Sequence, residues 1–192
     1  MRPSSTPASS SVARSRPSTR PELGSLSNAA GSLGDLVAQH RSVNGLRVID
    51  KSETTEWTVD GAKFWTRPGQ ATTDLESYAT WFSATIEPIS AQQGPDADDW
   101  SWAEPTPIPG SPSGALSNHA SGTAIDLNAT LHPQGKRGTF TPEQTQMIRT
   151  KLAEYQGRLV WGGDWDDSSV DEMHVEFVSN PAGSIGTGSL GG

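Results

Sequence analysis

Residues 117–128 read Ser117-Asn118-His119-Ala120-Ser121-Gly122-Thr123-Ala124-Ile125-Asp126-Leu127-Asn128, and the parity of their second half decides the fold. As a strand, Ile125 and Leu127 face one way while Ala124, Asp126 and Asn128 face the other, because successive side chains alternate across a sheet. The stretch Met173-His174-Val175-Glu176-Phe177 repeats the pattern, with Val175 and Phe177 on one side and His174 and Glu176 on the other. Each strand then offers a metal-ligating side chain from its polar face.

If the two strands are neighbours, His119 in the loop entering the first completes a set of two histidines and one carboxylate, His119, Asp126 and His174. That mix suits Zn2+ and leaves a fourth position open to water. A nearby carboxylate is still needed to take a proton from water attacking an amide, and Asp171, three residues before His174, is placed for that role. A histidine beside an aspartate ordinarily makes no more than a satisfied polar pair. Three things together point further: the Gly-containing His-to-Asp spacing, the Asp-x-x-His pair and the matched parity.

Outward from this centre, Trp57 to Val59 and Ala62 to Trp65 flank Asp60-Gly61, a dipeptide that accepts the positive φ angles of a hairpin turn. Thr73 and Glu76 form a capping box ahead of Leu75, Tyr78, Ala79, Phe82 and Ile86, predicting a helix ended by Pro88. A second helix is predicted from Thr141 as cap, Pro142 in the first turn and Gln144 closing the box. Met147, Ile148, Leu152 and Tyr155 line one side, and Gly157 ends it. Leu33, Leu36, Val37 and His40 have the spacing of one further helical face before Asn44-Gly45. Residues 94–116, rich in proline and glycine, read as loop, and Asp96, Asp98 and Asp99 as a solvated acidic run without the spacing of a calcium loop.

At 192 residues the chain fits one domain with tails. Residues 1–24 are Ser, Pro, Thr and Arg and read as disordered; 25–180 form the domain; 181–192 form a flexible Gly/Ser-rich tail or linker. A net charge of −8 argues against nucleic acid as a partner. The absence of cysteine excludes disulfides and thiolate chemistry, so any metal must use histidine and carboxylate. No apolar stretch is long enough for a Sec signal or a membrane span, so no membrane insertion is expected.

The motif S-N-H-A-S-G-T-A-I-D at 117–126, Trp161-Gly162-Gly163-Asp164-Trp165 and Asp171-Glu172-Met173-His174-Val175-Glu176 together resemble the M15 family of D-Ala-D-Ala carboxypeptidases and L-alanyl-D-glutamate peptidases. The resemblance runs from about Leu75 to Phe177 and is nearest to the bacteriophage endolysin branch. It implies zinc ligands at His119, Asp126 and His174 and the catalytic acid/base at Asp171. It also implies an α+β fold, a small antiparallel or mixed sheet with helices on one side, shared with the hedgehog signalling domain.

The implied activity is zinc-dependent hydrolysis in the peptide stem of bacterial peptidoglycan by a monomer. Cleavage between L-Ala and D-Glu comes first and D-Ala-D-Ala carboxypeptidase action second. By analogy with phage enzymes, the protein is made in the cytoplasm and acts at the cell wall. A non-catalytic zinc-binding module is the alternative of another class. A non-haem iron oxygenase shares the ligand types but usually spaces His and carboxylate two apart.

Family members commonly supply an arginine to the developing oxyanion. Here Pro109 stands before Gly110-Ser111, and Arg67 and Arg47 are the upstream candidates. Glu176 is placed to orient a ligand imidazole, and Ser117 to brace the metal loop or meet substrate. Trp161 and Trp165 are candidates for a cleft wall, with one of them expected in the core. His132, before Pro133, reads as exposed loop.

Overall fold

The computed structural model describes residues 41–89, 98–108 and 115–178. The helical face at 33–40, the two tails, Asp96 and Pro109-Gly110-Ser111 lie outside the described residues.

Among the described residues the fold is α+β, with two small antiparallel sheets and two helices. A hairpin pairs β1 (Thr55–Val59) with β2 (Ala62–Thr66). Its turn is made as the sequence predicts, with Asp60 and Gly61 at φ 49° and 90°. The second sheet has the order β3-β5-β4, from β3 (Ala124–Asp126), β4 (Leu159–Trp161) and β5 (His174–Phe177). Helix α1 spans Gln70–Thr85 and α2 spans Pro142–Ala153.

Alternation across β3 and β5 builds the core. Ile125, Val175 and Phe177 join Leu75, Tyr78 and Phe82 of α1 and Ile148 and Leu152 of α2 in one buried cluster. The hairpin adds Trp57 stacked on Phe64 with ring centroids 4.4 Å apart. The opposite face of β3 and β5 is thereby free to carry Asp126, His174 and Glu176 into a cleft.

Four local expectations need correction. Helix α1 begins at Gln70, with Gly69 as its cap, rather than at Thr73. The turn at Arg67-Pro68-Gly69 starts it early, and the Thr72 hydroxyl bonds the Arg67 carbonyl at 2.7 Å. The capping box at Thr141 and Gln144 is formed as expected, but Met147 is 40% exposed and faces away from the core. His132 is buried, its ring stacked on Phe140 with centroids 3.7 Å apart and its Nε2 2.8 Å from Glu87 Oε2. Asp98 and Asp99 are structural: they accept hydrogen bonds at 2.8 Å from the Thr130 hydroxyl and 2.9 Å from the Asn128 N–H, closing the turn after β3.

One glycine fixes the approach to β3. Gly122 sits at φ +67°, and a Cβ there would stand 2.8 Å from the Arg67 backbone nitrogen. Gly45, at φ +78°, has no neighbour within 4 Å. Gly45→Ala should cost only left-handed strain, about 1 kcal/mol, whereas Gly122→Ala adds a backbone clash and should cost about 2 to 4 kcal/mol. Urea unfolding of the two variants beside the parent checks this; equal losses would mean that the packing around Gly122 is loose.

Candidate metal centre

Asp126 and His174 are direct cross-strand partners in the β3–β5 register. The main-chain N–H and C=O of Asp126 bond instead to Trp100, each at 2.9 Å. Asp126 and His174 are therefore a pair without mutual main-chain hydrogen bonds, the kind whose side chains lie closest. His119 comes from a one-turn 3-10 helix at Asn118–Ser121. The Ser117 hydroxyl caps that turn by accepting the His119 N–H at 3.3 Å, and Gly122 ends it in the left-handed conformation.

Donor atoms of three residues converge, with both Asp126 oxygens engaged. His119 Nε2 is 3.2 Å from Asp126 Oδ2 and 3.2 Å from His174 Nδ1, and His174 Nδ1 is 2.8 Å from Asp126 Oδ1. Ligand atoms ~2.0 to 2.1 Å from a tetrahedral zinc stand about 3.3 Å apart, and one atom from each of these residues lies within 4.8 Å of the others, close to that spacing.

The outer nitrogens of both rings are fixed. His119 Nδ1–H donates to the Ser101 carbonyl at 2.5 Å, and His174 Nε2–H donates to Glu176 at 3.0 Å. These bonds leave Nε2 of His119 and Nδ1 of His174 facing the centre, and orienting partners of this kind select the ligating tautomer. Glu176 is itself held by the Asn118 side-chain amide at 2.7 Å.

The electrostatics ask for a cation. Burial opposes ionisation of Asp126, but the charge and hydrogen bonds of His119 and His174 outweigh it and hold the carboxyl well below the usual range. Burial likewise opposes charge on His174, yet its bonds to Asp126 and Glu176 raise it to about 10. The residues present fit zinc in type, spacing and tautomer.

Asp171 lies in the same cleft of about 910 Å³ as His119, Asp126 and His174. Its Oδ1 is buried and has no hydrogen-bond partner among the described residues. Burial first, then the charge of Asp126, pushes its carboxyl up to about 6, against the opposing pull of the imidazoles and Gln134. The chain approaches closely here: a Cβ on Gly162 would lie 2.4 Å from the Asp171 carbonyl oxygen.

The remaining site expectations divide. Glu176 takes a hydrogen bond from the His174 ring, and Ser117 both caps the His119 turn and lines the cleft. Trp161 is not a cleft wall. It pairs with Val175 on the core face and donates its Nε1–H to the Glu172 carbonyl at 2.7 Å. Trp165 lines the cleft, its ring 5.2 Å from that of His174. Arg67 does not reach the cleft either: its guanidinium bonds the carbonyls of Ser121 and Arg47, bracing the His119 turn from behind. Arg47 pairs with Glu53 at 2.6 Å.

Sequence reasoning passed over Ser101, Asn118, Gln134 and Glu172. Asn118 and Glu172 lie inside the quoted motifs. Ser101 and Gln134 reach the site through loops whose path no periodicity records.

No curated protein and no solved structure matches the chain. Residues 111–177, about a third of the chain, match a family model described as D-alanyl-D-alanine carboxypeptidase. That segment contains His119, Asp126, Asp171 and His174, and it is through this segment that the chain is similar to the M15 peptidases.

Proposed function

We propose that this peptidase is a zinc-dependent hydrolase that cleaves an amide bond in the peptide stem of bacterial peptidoglycan. The observation that carries the reading is the convergence of three metal-type residues in one cleft with Asp171, whose Oδ1 has no hydrogen-bond partner among the described residues. His119, Asp126 and His174 would hold the ion, with Ser101 and Glu176 keeping the two rings in the tautomers that ligation needs. A zinc ion held there supplies Lewis-acid polarisation of the scissile carbonyl and brings the pKa of an attacking water toward ~7. Asp171 accepts the proton of that water and returns it to the departing amine, for which a carboxyl poised near neutrality is suited. A purely structural zinc module would have no use for the unpartnered Asp171 oxygen.

One observation favours an internal bond over a C-terminal one. Among the described residues no lysine or arginine lines the cleft. Arg67 is spent on carbonyls, and Arg137 bonds Asp167 and the carbonyls of Gly163 and Trp165. A terminal carboxylate entering the cleft would meet Asp126, Asp171 and Glu176. Endopeptidase cleavage, with L-Ala–D-Glu as the first bond to examine, therefore ranks above D-Ala-D-Ala carboxypeptidase action. By the endolysin resemblance, the protein is made in the cytoplasm and acts at the wall of a bacterial cell.

Purified peptidoglycan incubated with the protein should yield new termini, identified by mass spectrometry. Chelator should stop their release and added zinc restore it, and Asp171→Asn should lower kcat by about 10²- to 10⁴-fold. Products that persist undiminished in chelator would refute the zinc reading.

Stem peptides with a C-terminal amide should be cut at least as fast as the free acids. A strong preference for the acid, with loss of a single residue, would make the enzyme a carboxypeptidase.

Asp171 also carries a stability cost with a definite sign. Its pKa rises from about 3.9 unfolded to about 6 folded, so the folded state binds more protons in that window. Stability of the metal-free protein then falls as pH rises from about 4 to about 6. Asp171→Asn should remove that slope and stabilise the metal-free fold at pH 7 by about 1 kcal/mol, solvent screening limiting the gain. Thermal unfolding of the two proteins across this range checks it; parallel curves would show that burial of Asp171 costs nothing.

A further inference from the structure

Glu172 stands between the proposed base Asp171 and the ligand His174 in sequence, yet it does not line the cleft. Its carboxylate enters a cradle of main-chain donors: the N–H of Gly138 at 2.7 Å, the N–H of Thr139 at 2.8 Å, the N–H of Phe140 and the Thr139 hydroxyl. Burial works against the charge, but these bonds outweigh it and hold the carboxyl below its ordinary range. The Thr139 oxygen is in turn 2.8 Å from Nδ1 of the buried His132, whose Nε2 is 2.8 Å from Glu87 beyond the end of α1. The chain from α1 to the cleft edge is thus continuous: Glu87, His132, Thr139, Glu172.

The segment it anchors bears the chemistry. The Glu172 carbonyl takes the Trp161 indole N–H at 2.7 Å, Asp171 N–H bonds the Gly162 carbonyl at 3.1 Å, and His174 N–H bonds the Asp171 carbonyl at 3.2 Å. These contacts fix the path of the backbone. The Glu172 carboxylate ties that path to the loop at 138–140, which leads into α2. An ionised side chain held by several main-chain N–H groups is among the stronger neutral-to-charged anchors available to a short loop.

We propose that Glu172 is a positioning residue that sets the placement of Asp171 and His174 relative to Asp126 and His119 through its cradle at residues 138–140. The inference rests on the peptidase reading for the role of Asp171, but its effect on the metal ligands does not need that reading. Glu172→Gln preserves size while turning an amide NH2 toward N–H donors. Thr139→Val removes one hydroxyl from the cradle and breaks the link to His132.

The test measures three quantities on the full chain: folding by circular dichroism, zinc dissociation constant by chelator competition, and kcat and KM on a stem peptide. Glu172→Gln, folded at the assay temperature, should lose about 10- to 100-fold in kcat and about 10-fold in zinc affinity, with KM within about twofold. Thr139→Val should show the same split at smaller size, and Glu172→Asp, which keeps the charge, should recover part of the loss. A folded Glu172→Gln with unchanged kcat and zinc affinity, or one whose only defect is thermal stability, would overturn the proposal. If Glu172→Gln does not fold, Thr139→Val decides by the same criteria. Should the parent protein cleave no wall peptide, the peptidase reading falls, and the zinc affinities alone judge the positioning role.

Discussion

The cross-strand pairing of Asp126 with His174 is the constraint on which the rest depends. Three residues of β3 and four of β5 are enough to fix it, because Ile125 and Val175 on the other face belong to the core. A slip of one residue would bury the carboxylate and the imidazole in that core and turn the two apolar side chains to the cleft, so burial enforces the register. The hydrophobic face and the polar face of the sheet therefore specify each other. Trp100, by taking both main-chain groups of Asp126, protects the exposed edge of β3 and leaves the Asp126 side chain close to His174.

Once the pair is set, the remaining elements orient the two imidazoles around it. Two imidazoles present their inner nitrogens because their outer ones are bound, one by a carbonyl and one by a carboxylate. Each of these partners is held by something else: Glu176 by Asn118, and the Ser101 hydroxyl by the Trp65 N–H at 2.7 Å. Residues 42–44 complete the support. Ser42 bonds Ser121, and the Asn44 side chain bonds Thr123 and the Phe177 carbonyl, tying the His119 turn to the end of β5. The cost of gathering Asp126, Asp171 and Glu176 in one cleft appears as raised protonation of Asp171 and His174. A divalent ion would relieve that cost, and such tension between stability and function is common where a site is built for a partner.

The features that repeat along the chain were the ones legible in the sequence. Period-two alternation located β3 and β5 and assigned their faces, the Asp60-Gly61 turn located the hairpin, and the Thr141 box located α2. What escaped was fixed by contacts distant in sequence. His132 is buried because Phe140 and Glu87 meet it, and nothing in His132-Pro133 announces either one. Trp161 is placed by parity alone, since Leu159 two residues earlier shares its face. Thr73 failed as a cap because a Pro-Gly turn began the helix one turn sooner. Arg67 has the charge of an oxyanion partner, but its guanidinium bonds two carbonyls behind the His119 turn.

The central claim is that this short antiparallel pair presents a preformed face for a metal ion. Crystals of the protein soaked in zinc and examined by anomalous diffraction at the zinc edge address it directly. The arrangement predicts a single peak at ~2.0 to 2.2 Å from His119 Nε2, His174 Nδ1 and an oxygen of Asp126, with Glu176 still bonded to His174 Nε2. A peak elsewhere, coordination of His174 through Nε2, or no ordered zinc at this site would contradict it.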